Sequence, residues 1–204
     1  MPIVIFAEVE KEWSDSFHER MTALFARSCG IPDRHFQVPL HFVWALTQFA
    51  GVLRSTPALP QLLFNLMLWA HPTSLAIIAV KHSGEIILPT DPLRQNGPLL
   101  WIARQPLMRL RRSFGRSAGC TGFEPALDGA LNAHLALLRL ALSRMTPRQA
   151  EVCRTIEVIG KRKAAQAELG IGQSALSHCL KACAYRTLRD SINDLSKAIR
   201  HAQT

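Results

Sequence analysis

The chain has 204 residues, of which 48% are hydrophobic and 19% are charged, and its formal net charge at pH 7 is +9. The hydrophobic fraction is sufficient for a buried core and excludes an intrinsically disordered protein, while the positive charge favours a negatively charged partner such as nucleic acid. The amino terminus lacks the basic start of a secretory signal, and the most apolar run, 60–70, is too short to span a bilayer. We therefore expect a cytoplasmic protein of one or two small domains with no membrane partner.

Residues 1–114 predict mixed α and β structure. The apolar run PIVIFA over 2–7 predicts a central strand, and the spacing of Phe17, Met21 and Leu24 predicts an amphipathic helix over 13–29. The remaining predicted elements follow in chain order: a strand at 34–40, a helix at 42–53, an apolar segment at 62–69, a strand at 73–81, a turn at Ser83-Gly84, a return strand at 85–88 and a helix at 97–113. This order is typical of a ferredoxin-like or nucleotide-cyclase-like α+β fold.

The second half of the chain predicts an all-α module. Residues 113–124, SFGRSAGCTGFE, are rich in glycine and serine, and they predict a linker before a long helix at 127–144. We therefore divide the chain into an α+β sensory or dimerisation domain at 1–114, a linker at 115–126 and a helical DNA-binding domain at 127–204.

Residues 146–185 carry the pattern of a helix-turn-helix. Thr146 is placed to cap a first helix that Gly160 ends, and a second short helix follows over 161–169. Gly170 is expected to adopt a positive φ at the turn, and a third helix is expected to begin at Gln173.

In a helix-turn-helix, residues near the start of the third helix contact base edges, and nearby cations contact phosphates. The expected base contacts are Gln173, Ser174, Ser177, His178 and Lys181. The expected phosphate contacts are Arg148, Lys161, Arg162 and Lys163. From 144 to 204 there are 11 basic and 5 acidic residues, a net charge of +6, which favours DNA binding over the alternative of a purely structural helical bundle.

Five cysteines are scattered along the chain. Cys179 and Cys183 lie one helical turn apart beside His178, but no C-x-x-C pair accompanies them. We therefore expect reduced thiols, with no metal and no cofactor.

The segments TPRQAEVCRTIE and KAAQAELGIGQSALSHCLKAC resemble the helix-turn-helix shared by sigma-factor region 4 and LuxR-type regulators. The chain departs from that pattern where Gly172 and Gln173 precede Ser174, and where Leu176 replaces a β-branched residue. The resemblance covers about a fifth of the chain, and it implies a helix-turn-helix without implying a pathway.

A second resemblance spans most of the chain. DRHFQVPLHFVWAL, LAIIAVKHSGEI and DPLRQNGPLLWIARQPLMRL, followed by TPRQAEV, are similar in order and spacing to the SatD family of small bacterial proteins. The matching motifs are Phe36-Gln37, Gly97-Pro98 and Ala103-Arg104. The resemblance implies a cyclase-like front half followed by a helix-turn-helix tail.

Cyclase chemistry requires paired carboxylates that hold two divalent metals. Only Glu8 and Asp33 lie near the expected positions, and there is no glycine-rich phosphate loop. We therefore expect a front half without catalysis, and a chain that is not an enzyme. Two alternatives stay open: a nucleotide-processing enzyme, and an anti-activator that docks on another regulator or on RNA polymerase.

Taken together, these patterns predict a bacterial transcriptional regulator that binds double-stranded DNA as a homodimer. Dimerisation is expected because one recognition helix contacts only a few base pairs. The expected interfaces are the apolar segments 62–69 and 127–142, with burial in the core of the protein as the alternative for both. The α+β domain would set the dimer or sense a nucleotide or protein effector.

Overall fold

The computed structural model describes residues 1–9, 14–44, 47–84, 86, 96–114 and 118–202. Within these ranges the chain is a mixed α+β protein, as the sequence predicts. Its strands are β1 (Ile3–Val9), β2 (Phe36–Trp44), β3 (Gln48–Leu53), β4 (Leu75–Lys81) and β5 (Ala118–Thr121). Its α-helices are α1 (Asp15–Phe25), α2 (Leu59–Ala70), α3 (Asn96–Phe114), α4 (Pro125–Ser143), α5 (Pro147–Ile159), α6 (Arg162–Leu169), α7 (Gln173–Ala182) and α8 (Tyr185–His201).

The five strands form one mixed sheet in the order β2-β3-β1-β4-β5. Neighbouring strands are antiparallel except β4 and β5, which are parallel. In β1, Ile5 lies opposite Gly51 of β3 and opposite Ala79 of β4. The central strand predicted from PIVIFA is therefore confirmed.

Helices cover both faces of the sheet. Side chains alternate along β1, so that Ile3 and Ile5 pack with α1 and α2 on one face, whereas Val4 and Phe6 pack with α3 on the other. All four are essentially buried. Each such side chain contributes roughly 1.5–3 kcal/mol on burial, so this strand anchors the core of the front half.

Most predicted elements of the front half are present with shifted ends. The described part of the helix predicted over 13–29 is α1, the helix over 97–113 is α3, and the strand over 73–81 is β4. The long helix predicted over 127–144 is α4. The return strand predicted over 85–88 lies outside the described residues except for Ile86.

The apolar segment 62–69 lies inside α2, where Leu62, Phe64 and Leu66 are fully buried. The dimer interface predicted on this segment is therefore wrong, because its side chains already form the core between the sheet and the C-terminal helices. A segment that is apolar on every side belongs inside a domain rather than on a surface.

The helix predicted over 42–53 is also wrong. The described residues of this segment belong to the end of β2 and to β3, and Phe49 pairs with Ala7 of β1 and with Phe42 of β2. Residues 49–53 are buried throughout because sheet and helices enclose them on both sides. A continuous apolar run of this kind fits a buried strand as well as a buried helix, and only sheet pairing decides between them.

The linker predicted over 115–126 is wrong for residues 118–121, which form the buried strand β5. A side chain at Gly119 would approach Leu110 of α3 to 3.0 Å and Asn132 of α4 to 3.2 Å. Asn132 also donates to the Cys120 carbonyl at 2.9 Å and accepts from the Cys120 N–H at 2.8 Å. The small residues that suggested a loop are instead required for close packing of this edge strand.

The front half and the C-terminal helices share α2. Phe64 and Leu68 of α2 pack with Leu138 of α4, Val152 of α5 and Ile192 of α8. Helix α8 then continues over the front half, where its residue Ile199 joins the core on the α1–α2 face of the sheet. The C-terminal helices are consequently held against the sheet by buried apolar contacts.

Candidate nucleic-acid interface

Helix α5 is the first helix of the predicted helix-turn-helix at 146–185, and it begins and ends as the sequence predicts. The Thr146 hydroxyl accepts the Gln149 N–H at 3.2 Å, and the Gln149 side chain accepts the Thr146 N–H at 2.9 Å, which is a complete capping box. Gly160 ends the helix with φ at +70°. Its inner face buries Val152, Cys153 and Ile156, which fixes the face that α5 turns toward α7 and α8.

Two glycines orient α7. Gly170 ends α6 with φ at +62°, and the Ile171 N–H returns to the Gln166 carbonyl at 3.1 Å. Gly172 is extended and is followed directly by Gln173, the first residue of α7. Leu176 and Leu180 face the core, so the opposite face of α7 is turned to solvent.

All nine residues predicted to contact DNA are exposed. Seven of them belong to α6 and α7, Arg148 lies on α5, and Lys161 directly precedes α6. Since α7 buries only Leu176 and Leu180, its polar side chains remain free to meet a partner from outside the molecule.

Three of these residues line one concavity between α6, α7 and α8. Arg162, Ser177 and Lys181 share a cavity of about 310 Å³ with Arg186, and the Arg186 guanidinium lies 3.8 Å from Asp190 on an exposed part of α8. The helix-turn-helix pattern did not predict Arg186, because this residue lies after the predicted motif. Only the count of basic residues in 144–204 included it. The other predicted contacts lie outside this concavity.

Arg148, which was predicted to contact phosphate, makes hydrogen bonds within the protein. It donates to the Leu169 carbonyl at the end of α6 at 3.1 Å and to the Glu151 carboxylate at 2.7 Å. This side chain therefore ties the start of α5 to the end of α6. A phosphate contact from Arg148 would have to compete with both partners.

Two other arginines lie at the end of α2: Arg154 attaches the helical segment to the front half, and Arg20 joins α1 to α2 within the front half. Arg154 of α5 donates to the carbonyls of Leu68 and His71 at 3.1 and 3.3 Å, and Arg20 of α1 donates to the Trp69 carbonyl at 3.0 Å. Both cations lie at the carbonyl end of α2, where the helix dipole favours positive charge. Burial lowers the pKa of each guanidinium, and the charge of Arg20 lowers the pKa of Arg154 further. Burial also lowers the pKa of His71, followed by the charge of Arg154.

The two carboxylates considered for metal catalysis lie far apart. Glu8 is opposite Gln48 near one end of the sheet, whereas Asp33 precedes Phe36, which pairs with Leu53 at the other end. The five residue steps from Ile3 to Glu8 along β1 span about 17 Å. Two metals in a shared site lie about 3.5–4 Å apart, so these carboxylates cannot hold a common pair.

Each carboxylate also has a local partner. Glu8 accepts a hydrogen bond from the Gln48 amide at 3.2 Å, and Asp33 accepts one from the Ser28 hydroxyl. Among the described residues there is no cluster of three or more potential metal ligands. Within the same ranges, none of the helices has the length and apolar character that crossing a membrane requires.

Comparison of the chain with protein families, with curated proteins and with solved structures found no match.

Proposed function

We propose that the chain is a transcriptional regulator that binds double-stranded DNA in a sequence-specific manner, with α5, α6 and α7 acting as a helix-turn-helix. The observation that carries this proposal is the presentation of α7. Its apolar residues Leu176 and Leu180 are buried against the preceding helices, while Gln173, Ser177 and Lys181 are exposed. A helix held in this way can enter a major groove without unfolding any part of the core.

The charge distribution supports the same function. Residues 144–204 carry a net charge of +6, and the remaining 143 residues carry only +3. The exposed cations at 161–163 and Arg186 lie on helices that adjoin α7. Phosphate contacts of this kind provide affinity and orientation, and the α7 side chains then provide sequence preference.

We further propose that α4 forms the homodimer interface. Its outward positions from 129 to 140 are small or apolar, and Leu137 and Leu140 are 65% and 50% exposed. No charged residue occurs between Asp128 and Arg139. A two-fold contact along α4, next in sequence to α5, would place two copies of α7 at a defined separation.

For the front half we propose a ferredoxin-like fold, extended by β5. Two observations support this proposal. From β1 to β4 the elements follow the order strand, helix, strand, strand, helix, strand, and the strands lie in the sheet in the order β2-β3-β1-β4. A kinship with SatD-like proteins is likewise a proposal that rests on the short sequence motifs. The distance between Glu8 and Asp33 favours a front half used for dimerisation or sensing.

Selection of bound duplexes from a random DNA library with the purified full chain tests this function. We expect an enriched palindrome whose half-sites lie about one helical turn, roughly 34 Å, apart. No enriched sequence, together with no salt-dependent affinity for any duplex, would overturn the proposal and favour a module that docks on another protein.

The dimer is tested separately by sedimentation. Leu137→Asp combined with Leu140→Asp should convert a dimer into a folded monomer, because two charges would be buried at the contact. Trp101→Asp is the matched control, since Trp101 is 78% exposed on α3 at the opposite face of the sheet. A monomeric parent chain, or a dimer that survives the double substitution, would contradict the α4 interface.

A further inference from the structure

Two buried thiols face each other between α5 and the end of α7. Cys153 is fully buried on α5, and Cys183, which follows α7, is 8% exposed. Their sulfur atoms lie 3.5 Å apart. The sequence predicted reduced thiols at these positions, but 30 residues separate the two cysteines and no spacing rule pairs them.

The surroundings make the two sulfurs unequal. The contact with the Cys153 thiol lowers the pKa of Cys183 and, together with the backbone N–H groups of Tyr185 and Cys183, outweighs the opposing effect of burial. The same contact and burial raise the pKa of Cys153. Cys183 therefore holds the more reactive sulfur, since the thiolate is the nucleophile and low-pKa thiols near helix starts are the ones oxidised first.

We infer that Cys153 and Cys183 are a redox modification site, which forms a reversible disulfide with a peroxide as the oxidant. The Cys183 thiolate attacks one peroxide oxygen, the O–O bond breaks, and with one proton the products are a sulfenic acid and water or an alcohol. The Cys153 sulfur then attacks the Cys183 sulfur, the S–O bond breaks, and the hydroxyl leaves as water with the Cys153 proton. Two thiols are thereby oxidised by two electrons and one peroxide is reduced.

The geometry requires only a small movement. A disulfide has an S–S distance of about 2.05 Å, so the sulfurs must approach by about 1.5 Å. Because Cys153 lies on α5 and Cys183 directly follows α7, that approach moves α7 relative to the helix on which it packs.

The effect on DNA rests on the proposed function, whereas the disulfide itself does not. Base contacts depend on the placement of α7, and misplacing one bidentate contact weakens specific binding by about tenfold or more. We expect the oxidised protein to bind its selected duplex at least about tenfold more weakly than the reduced protein, with recovery after dithiothreitol.

Peroxide treatment of the full chain, followed by alkylation after denaturation and mass spectrometry, tests the site. The reduced chain should take five alkyl groups, one for each cysteine. The oxidised chain should take two fewer and should yield a single linked peptide pair containing Cys153 and Cys183. Retention of all five alkylatable thiols, a link between other cysteines, or Cys183 oxidised to a sulfinic acid without a link would overturn the inference.

Variants separate this pair from the neighbouring thiol. Cys179→Ser is the matched control, because Cys179 lies one turn earlier on α7 and its variant should still form the link. Cys153→Ala and Cys183→Ala should each abolish it. If either variant fails to fold, the peptide map of the parent chain decides alone. If the mapped link forms and no DNA binding exists in either redox state, the proposed function fails while the modification site stands.

Discussion

The front half and the C-terminal helices use their glycines for different purposes. In the front half a side chain at Gly122 would come 2.4 Å from the Lys81 carbonyl oxygen, and one at Gly51 would come 2.9 Å from the Val38 carbonyl oxygen. At Gly160 and Gly170 of the helical half nothing lies within 4 Å, and both have positive φ. At the sheet, glycine is therefore required by close packing, and at Gly122 also by a φ of +85°, whereas in the helical turns it is required by backbone conformation alone.

The two regions also differ in how their cations are used. Arg154 donates to carbonyls at the end of α2 and holds the regions together, and Arg20 donates to the same end of α2 from within the front half. Lys161, Arg162 and Lys163 are exposed and lie beside α7. The first pair contributes to stability, whereas the proposed function assigns the exposed cations to DNA binding, and substitutions can separate the two roles.

The largest expected effect concerns the glycines. Gly122→Ala should lower the free energy of unfolding by about 3 kcal/mol or more, because backbone strain and a clash with a carbonyl oxygen add together. Gly160→Ala should cost about 1–2 kcal/mol, from strain alone. Urea unfolding measures both. Equal losses would contradict the distinction between packing and conformation.

Removal of the connecting arginine should have the next largest effect. Arg154→Ala leaves two carbonyls at the end of α2 without their charged donor, and we expect a loss of about 2–3 kcal/mol in the free energy of unfolding. Arg144→Ala removes an exposed cation just before α5 and should change it by less than about 0.5 kcal/mol. If both variants unfold at the urea concentration of the parent, Arg154 is not the connection between the regions.

Neutralising the exposed cations should affect binding and leave stability almost unchanged. The triple variant Lys161→Ala, Arg162→Ala and Lys163→Ala should weaken duplex binding by about 10- to 100-fold at low salt, and should reduce the slope of log affinity against log salt by about 2–3. Fluorescence anisotropy over a salt series measures both quantities.

The matched control removes the same charge from the front half. Arg104, Arg109 and Arg112 are exposed on α3, and their replacement by alanine also lowers the net charge by three. An identical loss of affinity in the two triple variants would show that net charge, rather than the surface around α7, determines binding.

The smallest effect is expected from Gln173→Ala. It should weaken binding to the selected sequence by about 1–2 kcal/mol and relax the preference at one base pair, because a bidentate contact would be lost. Its salt slope should match that of the parent chain, since no phosphate contact changes. A uniform loss across all sequences would assign Gln173 to phosphate contact instead.

Local signals made the helical half predictable. The N-cap at Thr146, the helix-ending glycines at 160 and 170, and the inward Leu176 and Leu180 each depend on a few neighbouring residues. The sequence therefore located these features correctly. The start of α8 at Tyr185 was not predicted, because Ala184 reaches its positive φ of 50° without a glycine.

The front half was less predictable because sheet pairing is not local. Nothing near Phe49 distinguishes a buried strand from a buried helix until β1 and β2 lie on either side of it. The same is true of Gly119, whose small size suggested a loop until α3 and α4 pack against it. The candidate site shows the same limit, since Arg186 joins Arg162 only through the packing of α8.

The sequence by itself determined the mixed composition of the fold, the central strand β1, both ends of α5 and α6, the start of α7 and the concentration of positive charge after residue 143. These follow from propensity, capping and charge, which act over a few residues. Only the tertiary structure decided that 118–121 complete the sheet, that 62–69 are core, that Glu8 and Asp33 are far apart and that Cys153 faces Cys183. Each of these depends on contacts between residues distant in sequence, whose geometry is set by how the sheet and helices pack.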